Sequence, residues 1–241
     1  MSSSKHPVIG IIGGMGPEAT MALFREIINA TPITRDQDHL HLVIDSNPKI
    51  PDRTSAITGK GDSPIPALID TARNLERAGA TLLAMPCVTA HYFADHIKRA
   101  VSVKFVNMLD AVHECLQRDH VSALTVGILA TTATINAKLF DQYLGSGYKL
   151  LYPPPTHQAD VMEAIYGDKG IKRGNTGKGP RDLLLSAGND LIDRGAQVLV
   201  AGCTEIPLVL QSKHVRVPLI NPLKVLAQTL VRQALGKEAF I

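Results

Sequence analysis

Two cysteines stand at matching places in the chain, and a pair of thiols is a pair of proton carriers. Cys87 follows the apolar run Leu82-Leu83-Ala84-Met85-Pro86 and opens the segment VTAHYFADHIKRA, which reads as a helix. Cys203 follows Val198-Leu199-Val200-Ala201-Gly202 and opens TEIPLVL. A thiol at a helix N-terminus has its thiolate favoured by the dipole and by free N–H groups. A free cysteine titrates near ~8.5, so modest tuning keeps one of a pair ionised at neutral pH. Inverting an α-carbon needs a base on one face and an acid on the other, and one thiolate facing one thiol makes such a site reversible. The carbanion between the two steps needs N–H donors aimed at the neighbouring carboxylate, and the backbone at 88–90 and 204–206 is placed to supply them. A single buried cysteine is more often a small core residue. Cys115 has no counterpart and is read that way.

The elements that must hold the two thiols come from hydrophobic patterning. Short apolar runs around 7–13, 40–46, 80–86, 103–108, 123–130, 148–152, 197–201 and 217–220 read as buried parallel strands. Between them, Leu68, Ile69, Ala72 and Leu75 recur at helical spacing before Gly79, and Leu184, Leu185, Leu191 and Ile192 before Gly195. Strand–helix alternation of this kind indicates an α/β fold. Open sheets of that class bind ligands at the carboxyl ends of the strands, where both thiols fall.

The chain also repeats itself. VIGIIGGMGPEAT is answered by VGILATTAT, AGATLLAMPCVTAH by RGAQVLVAGCTEIP, and VKFVNMLDAV by RVPLINPLKVL. Gly10 and Gly127 are 117 residues apart, the two cysteines 116, and Asn107 and Asn221 114. One spacing kept by three features in one order points to two homologous units of about four strands each. A single (β/α)₈ barrel also suits this length and strand number, but it does not account for the half-repeat.

Composition sets the outer bounds. Apolar residues make up 45% and charged residues 20%, the balance of a globular enzyme, and the formal charge of +3 comes without a basic run of the nucleic-acid kind. No apolar stretch reaches the roughly 20 residues of a membrane span. Met1-Ser-Ser-Ser-Lys5 has no apolar signal core behind it. Three scattered cysteines make neither a disulfide framework nor a CxxC site, so a reducing cytoplasm is expected, without nucleic-acid or membrane partners. No lysine stands in a Schiff-base context and no cluster has metal-ligand spacing, so neither pyridoxal phosphate nor metal is expected.

Other signals carry less. GIIGGMGPEA after a strand has the look of a dinucleotide-binding turn. Its glycines fit only through Gly14, Gly16 and Ala19, and Asp45 lies 29 residues past Gly16, farther than the usual ribose partner. Pro17 suits a first helical turn, so the loop can instead start a helix and receive a carboxylate. GNTGKGP has Gly179 where a P-loop needs Ser or Thr. His39 and His41 read as structural. His91, one turn past Cys87, either pairs with the thiol or packs the helix. The irregular segments 31–39, 47–64 and 167–180 read as loops, the last as a mobile lid or a plain surface loop.

GIIGGMGP (10–17), DSNPKIPDRT (45–54), MPCVTAH (85–91), GILATTAT (127–134), IKRG (171–174) and GCTEIPL (202–208) together resemble the aspartate/glutamate racemase family over nearly the whole chain. The resemblance implies two pseudo-symmetric α/β domains, each an approximately four-stranded parallel sheet flanked by helices. The first takes 1–110 plus 222–241, the final helix packing back on it, and the second takes 111–221, with the site in the cleft between. It implies a homodimer that interconverts L- and D-aspartate or glutamate without a cofactor, through Cys87 and Cys203. Met15, Arg53, Val88, Thr89, Thr131, Lys172, Thr204 and Glu205 are then expected at the substrate, with Arg53 and Lys172 on the side-chain carboxylate. The family commonly has Asn where this chain has Val88, and Val88 cannot offer that amide to the substrate. The loss puts the substrate in question more than the reaction. A related isomerase with another substrate and a non-catalytic amino-acid-binding relative stay open, with a nicotinamide dehydrogenase more remote.

Overall fold

The computed structural model describes residues 7–236. The opening residues read as lacking a signal core, and residues 237–241 assigned to the first unit, lie outside the described residues. In chain order the first half runs β1 (Val8–Gly13), α1 (Pro17–Ala30), β2 (His41–Ser46), α2 (Arg53–Ile57), α3 (Ile65–Arg77), β3 (Leu82–Ala84), α4 (Ala94–Ala100), β4 (Lys104–Phe105) and α5 (Met108–Asp119). The second half runs β5 (Thr125–Leu129), α6 (Thr132–Asn136), α7 (Leu139–Leu144), β6 (Lys149–Leu151), α8 (Pro155–Tyr166), α9 (Lys178–Asp193), β7 (Val198–Ala201), β8 (Leu219–Ile220) and α10 (Pro222–Leu235).

The strands form two separate four-stranded parallel sheets, ordered β2-β1-β3-β4 and β6-β5-β7-β8, so the barrel is excluded. Period-two alternation sorts each strand between two cores. Ile9, Ile11, Leu82 and Ala84 of the first sheet, and Val126, Ile128, Val198 and Val200 of the second, enter one central core shared by both sheets. Ile12, Leu83 and Met85 face an outer core of the first sheet, and Leu129, Leu199 and Ala201 an outer core of the second. Among the described residues no helix is long and apolar enough to cross a membrane. The final helix, α10, lies against α1 and α5 and seals the central core with Leu223, Leu226, Leu230 and Val231.

The last strand of each sheet is shorter than the sequence suggests. Asn107 ends the run at 103–108 because its side chain accepts from Leu109 N–H and caps α5. Pro218 has no N–H for the ladder, and Asn221 caps α10, so β8 is left with Leu219–Ile220.

The repeat is visible atom by atom. A β-carbon added at Gly10 would meet Leu83 at 2.6 Å, Ala80 at 2.9 Å and Leu75 at 3.2 Å; one added at Gly127 would meet Leu199 at 2.6 Å, Ala196 at 3.1 Å and Leu191 at 3.2 Å. Glycine at these two places lets a helix pack directly on the middle of the sheet. Gly10→Ala and Gly127→Ala are each expected to cost about 1–3 kcal/mol of stability, the range for overpacking a dense core. Urea denaturation of the two variants checks this; loss in one without loss in the other would mean the halves are not packed alike.

Candidate active site

Pseudo-equivalent strands end at pseudo-equivalent loops, so the loops after β3 and β7 carry Cys87 and Cys203 to one place. Both thiols, Arg53, Val88, Thr89, Thr131, Lys172, Thr204 and Glu205, together with Tyr166, line a single narrow cleft whose free volume is only ≈ 10 Å³. Met15, also expected there, is not part of the lining. Its side chain is buried in the first outer core, and it reaches the site through its carbonyl, which accepts from Arg53 Nη2 at 3.3 Å.

The helix expected to open at Cys203 does not form. Pro207 has no N–H to bond the Cys203 carbonyl, which Ile206 takes instead at 3.1 Å, and only a 3₁₀ turn, Ile206–Leu208, follows. That bond also withdraws Ile206 from the donors expected at 204–206. The neighbour of this thiol is a carboxylate. Cys203 Sγ donates to Glu205 Oε2 at 2.9 Å, and Lys172 Nζ donates to Oε1 of the same carboxylate at 2.6 Å. The Thr204 hydroxyl lies 3.2 Å from the Pro86 carbonyl and 3.3 Å from Glu205 Oε2. Gly16, which caps α1, is also close: a β-carbon there would lie 3.7 Å from Glu205 Oε1. The glycine loop therefore does start a helix facing a carboxylate, and that carboxylate is the protein's own. A dinucleotide phosphate at this helix end would meet it as a like charge.

Burial works against charge on Glu205, but Lys172 and the Cys203 thiol outweigh it and hold the carboxyl below its usual range. Burial also works against Lys172, and Glu205 more than restores its charge, raising its pKa. The Cys203 thiol is pushed well above its ordinary value by burial and then by Glu205. The group is thus a carboxylate, an ammonium and a protonated thiol, arranged so that the thiol donates.

Cys87 has a different setting. The helix predicted after it begins as a 3₁₀ turn, Thr89–Phe93, before α4. The cause is His91, whose Nδ1 lies 2.8 Å from the Cys87 carbonyl, the acceptor an α-helix would give to the His91 amide; that amide bonds Val88 instead. Met108 N–H donates to His91 Nε2 at 3.2 Å, so Nδ1 carries the proton and the imidazole is neutral. Burial drops its pKa to about 4. His91 therefore does not pair with the thiol; it fixes the backbone that carries it.

Arg53 opens α2 and is buried. Nη1 donates to the carbonyls of Ile50 (3.3 Å) and Pro51 (3.1 Å), and Nη2 to Met15. Its Nε is buried without a partner. A guanidinium has five N–H donors. Three are engaged with carbonyls, Nε–H is left without a partner, and the guanidinium also lies within hydrogen-bonding reach of Cys87. Burial works against the cation, but Cys87 and Asp52 outweigh it and raise its pKa. Across the floor of the cleft, Thr89 lies 3.3 Å from Thr131 and 2.9 Å from Thr134, and Thr131 lies 3.0 Å from Thr134.

Two residues here escaped the sequence reading. Thr134 is signalled only by its place three residues after Thr131, the spacing of a helix cap, which it fulfils through its N–H to Thr131 Oγ1. Tyr166 is the last residue of α8, and an aromatic at a helix end carries no sequence mark of a site. Among the described residues no group of three or more His, Cys, Asp or Glu is arranged to hold a metal ion. Cys115 packs in the central core with its Sγ 3.6 Å from Asp119, its thiol pushed up to about 11 by burial.

Residues 12–230 match the family model described as Asp/Glu/Hydantoin racemase. The chain is 28% identical to the broad specificity amino-acid racemase RacX of Bacillus subtilis, over 96% of this chain and 100% of that one. It is similar to the structure of Picrophilus torridus aspartate racemase, with a TM-score of 0.84 and 28% identity over 97% of each chain. It shares the fold of Francisella tularensis glutamate racemase in complex with D-glutamate, with a TM-score of 0.71 and 17% identity over 98% of this chain and 84% of that one.

The Cys203–Glu205 contact has a direct test. Alkylation consumes the thiolate. Removing the carboxylate charge in Glu205→Gln is expected to move the pH dependence of Cys203 alkylation to lower pH, because Lys172 then faces the sulfur uncompensated. Mass spectrometry resolved by cysteine reads it, and an unmoved profile would mean that Glu205 does not hold the proton on Cys203.

Proposed function

Because the chain belongs to the Asp/Glu/Hydantoin racemase family, we propose that it interconverts L- and D-aspartate, or glutamate, by proton transfer between its α-carbon and two thiols. The carrying observation is that Cys87 and Cys203, from opposite halves, line one cleft beside an arginine whose buried Nε–H has no partner. Cys203, hydrogen-bonded to a carboxylate, is the acid of the resting site. Cys87, with a guanidinium for its neighbour, is the base. After one turnover the roles are exchanged, and the reverse reaction restores them.

In the forward step Cys87 takes the α-proton from one face and Cys203 delivers its own to the other. As the Cys203 proton leaves, Lys172 and the Glu205 backbone N–H steady the new thiolate. The charge that spreads onto the α-carboxylate meets backbone donors at 88–90 and at 204 and the threonine hydroxyls of the floor. Arg53 takes the distal carboxylate through Nε and Nη2, and Lys172, which spends one of three protons on Glu205, can add another contact. No step calls for pyridoxal phosphate or metal. The units are taken as 1–110 plus 222–241 and 111–221, and the working form as a homodimer in the cytoplasm.

A second reading, an amino acid with an uncharged side chain, is favoured by Lys172. Its charge is already matched by Glu205, which leaves Arg53 as the cation not paired with a carboxylate in the lining, and Val88, whose side chain packs in the central core, offers no amide. The broad specificity named for the Bacillus subtilis relative agrees with it.

A panel of L- and D-amino acids resolved by chiral chromatography decides between the two. The acidic-substrate reading expects aspartate or glutamate to turn over fastest. It also expects Arg53→Ala to lower kcat/KM for them roughly tenfold to a hundredfold, the worth of a charge-assisted hydrogen bond of about 1.5–3 kcal/mol. Preference for neutral amino acids, or acidic-substrate kinetics unmoved by Arg53→Ala, would put the second reading first.

A further inference from the structure

We infer that Tyr166 is a positioning residue of this site, a clasp whose hydroxyl ties the Arg53-bearing wall of the cleft to the opposite half. Tyr166 ends α8 in the second half of the chain, and its Oη lies 3.3 Å from Thr54 Oγ1 in α2, the residue next to Arg53. The ring has another neighbour, the Lys172 ammonium, 5.5 Å from its centroid. One side chain therefore touches the segment that carries Arg53 and the residue that pairs with Glu205.

The position of this contact in the cleft gives it a role the others lack. Thr89 with Thr131 and Thr134, and Thr204 with the Pro86 carbonyl, also join the two halves, but those groups are buried at the floor. Thr54 and Tyr166 are only half-buried, at the rim. A buried hydrogen bond is costly to break because its partners are left unsatisfied, whereas water replaces a lost partner at the rim. The cleft is small, so its walls must part for an amino acid to enter and leave. The bond that can open and close at little cost is the one between Tyr166 and Thr54. Arg53 itself is tied only within the first half, to Ile50, Pro51 and Met15, so this neighbouring bond registers its wall against the second half. Burial and the nearby Cys203 push the phenol up to about 12, so Tyr166 acts as a hydrogen-bonding group and not as a proton carrier.

The consequence for turnover rests on the proposed function; the clasp itself can be tested without it. In the ligand-free, full-length protein, Tyr166→Phe and Thr54→Val each remove one half of the bond while keeping the packing. Each is expected to speed iodoacetamide alkylation of Cys87 and Cys203 by about two- to tenfold, the worth of one neutral hydrogen bond. The double variant should be no faster than either single one, because both remove the same bond. Cys115, in the central core, is the internal control and should keep its rate. Unchanged rates at Cys87 and Cys203, effects that multiply in the double variant, or a parallel rise at Cys115 would each overturn the clasp. With a substrate in hand, Tyr166→Phe should raise KM by a similar factor and spare kcat where chemistry limits turnover. If the wild-type protein racemises nothing, the proposed function fails, and the alkylation pattern still decides the clasp.

Discussion

A carboxylate taken out of water must be matched, and the matching of Glu205 organises the centre of this molecule. Its two oxygens are shared among an ammonium, a thiol and a threonine hydroxyl, with the capped end of α1 beside them. The thiol and the hydroxyl are its own chain neighbours, but Lys172 and the start of α1 come from elsewhere in the chain, so the full set of contacts needs the folded molecule. A buried ion pair of this kind is weak evidence for stability, because the cost of desolvation roughly cancels the attraction. Its effect is on protonation. One thiol is kept as a thiol in a site where the other faces a guanidinium.

The frame around that asymmetry is nearly symmetric. Gly10 and Gly127 sit under equivalent leucines and alanines, and Asn107 and Asn221 cap equivalent helices. The symmetry ends where the chemistry starts. After Cys87 the chain winds into a 3₁₀ turn steadied by His91, while after Cys203 it is cut short by Pro207 and brings Glu205 onto the sulfur. Duplication supplies two thiols lining one cleft; Glu205 beside Cys203 and Arg53 beside Cys87 give them different neighbours. A planar carbanion needs a proton carrier on each face, and a thiol held protonated by its neighbouring carboxylate is suited to be the donor.

Much of this was legible in the sequence. Short apolar runs located all eight strand regions; the signature is continuous in the inner strands β1, β3, β5 and β7, which are buried on both faces, and weaker in the half-exposed edge strand β2. The repeat spacing brought Cys87 and Cys203 to one cleft, since equivalent loops of equivalent sheets end on the same side. What stayed hidden were contacts made by side chains far apart in the chain. Nothing local marks Tyr166 as a partner of Thr54 or Lys172 as the mate of Glu205. The expected helix at Cys203 failed for a reason that was present in the sequence, Pro207. Its weight became clear only with the missing fourth-residue hydrogen bond to the Cys203 carbonyl. Met15 was placed at the substrate by motif, and the fold turned its side chain into the core while keeping its carbonyl at Arg53.

The central claim is that two thiols act on opposite faces of one carbon, and hydrogen isotope at low conversion tests it most directly. The wild-type protein is given one enantiomer of aspartate or glutamate in deuterium oxide, and the first product and the remaining substrate are separated by chiral chromatography and weighed by mass spectrometry. The thiol that delivers the new hydrogen has exchanged with solvent beforehand. The account therefore predicts a product fully deuterated at the α-carbon while the residual substrate still carries its original hydrogen. A product that keeps the substrate's own hydrogen, or a substrate pool labelled as fast as the product appears, would mean that one group serves both faces and would contradict the account.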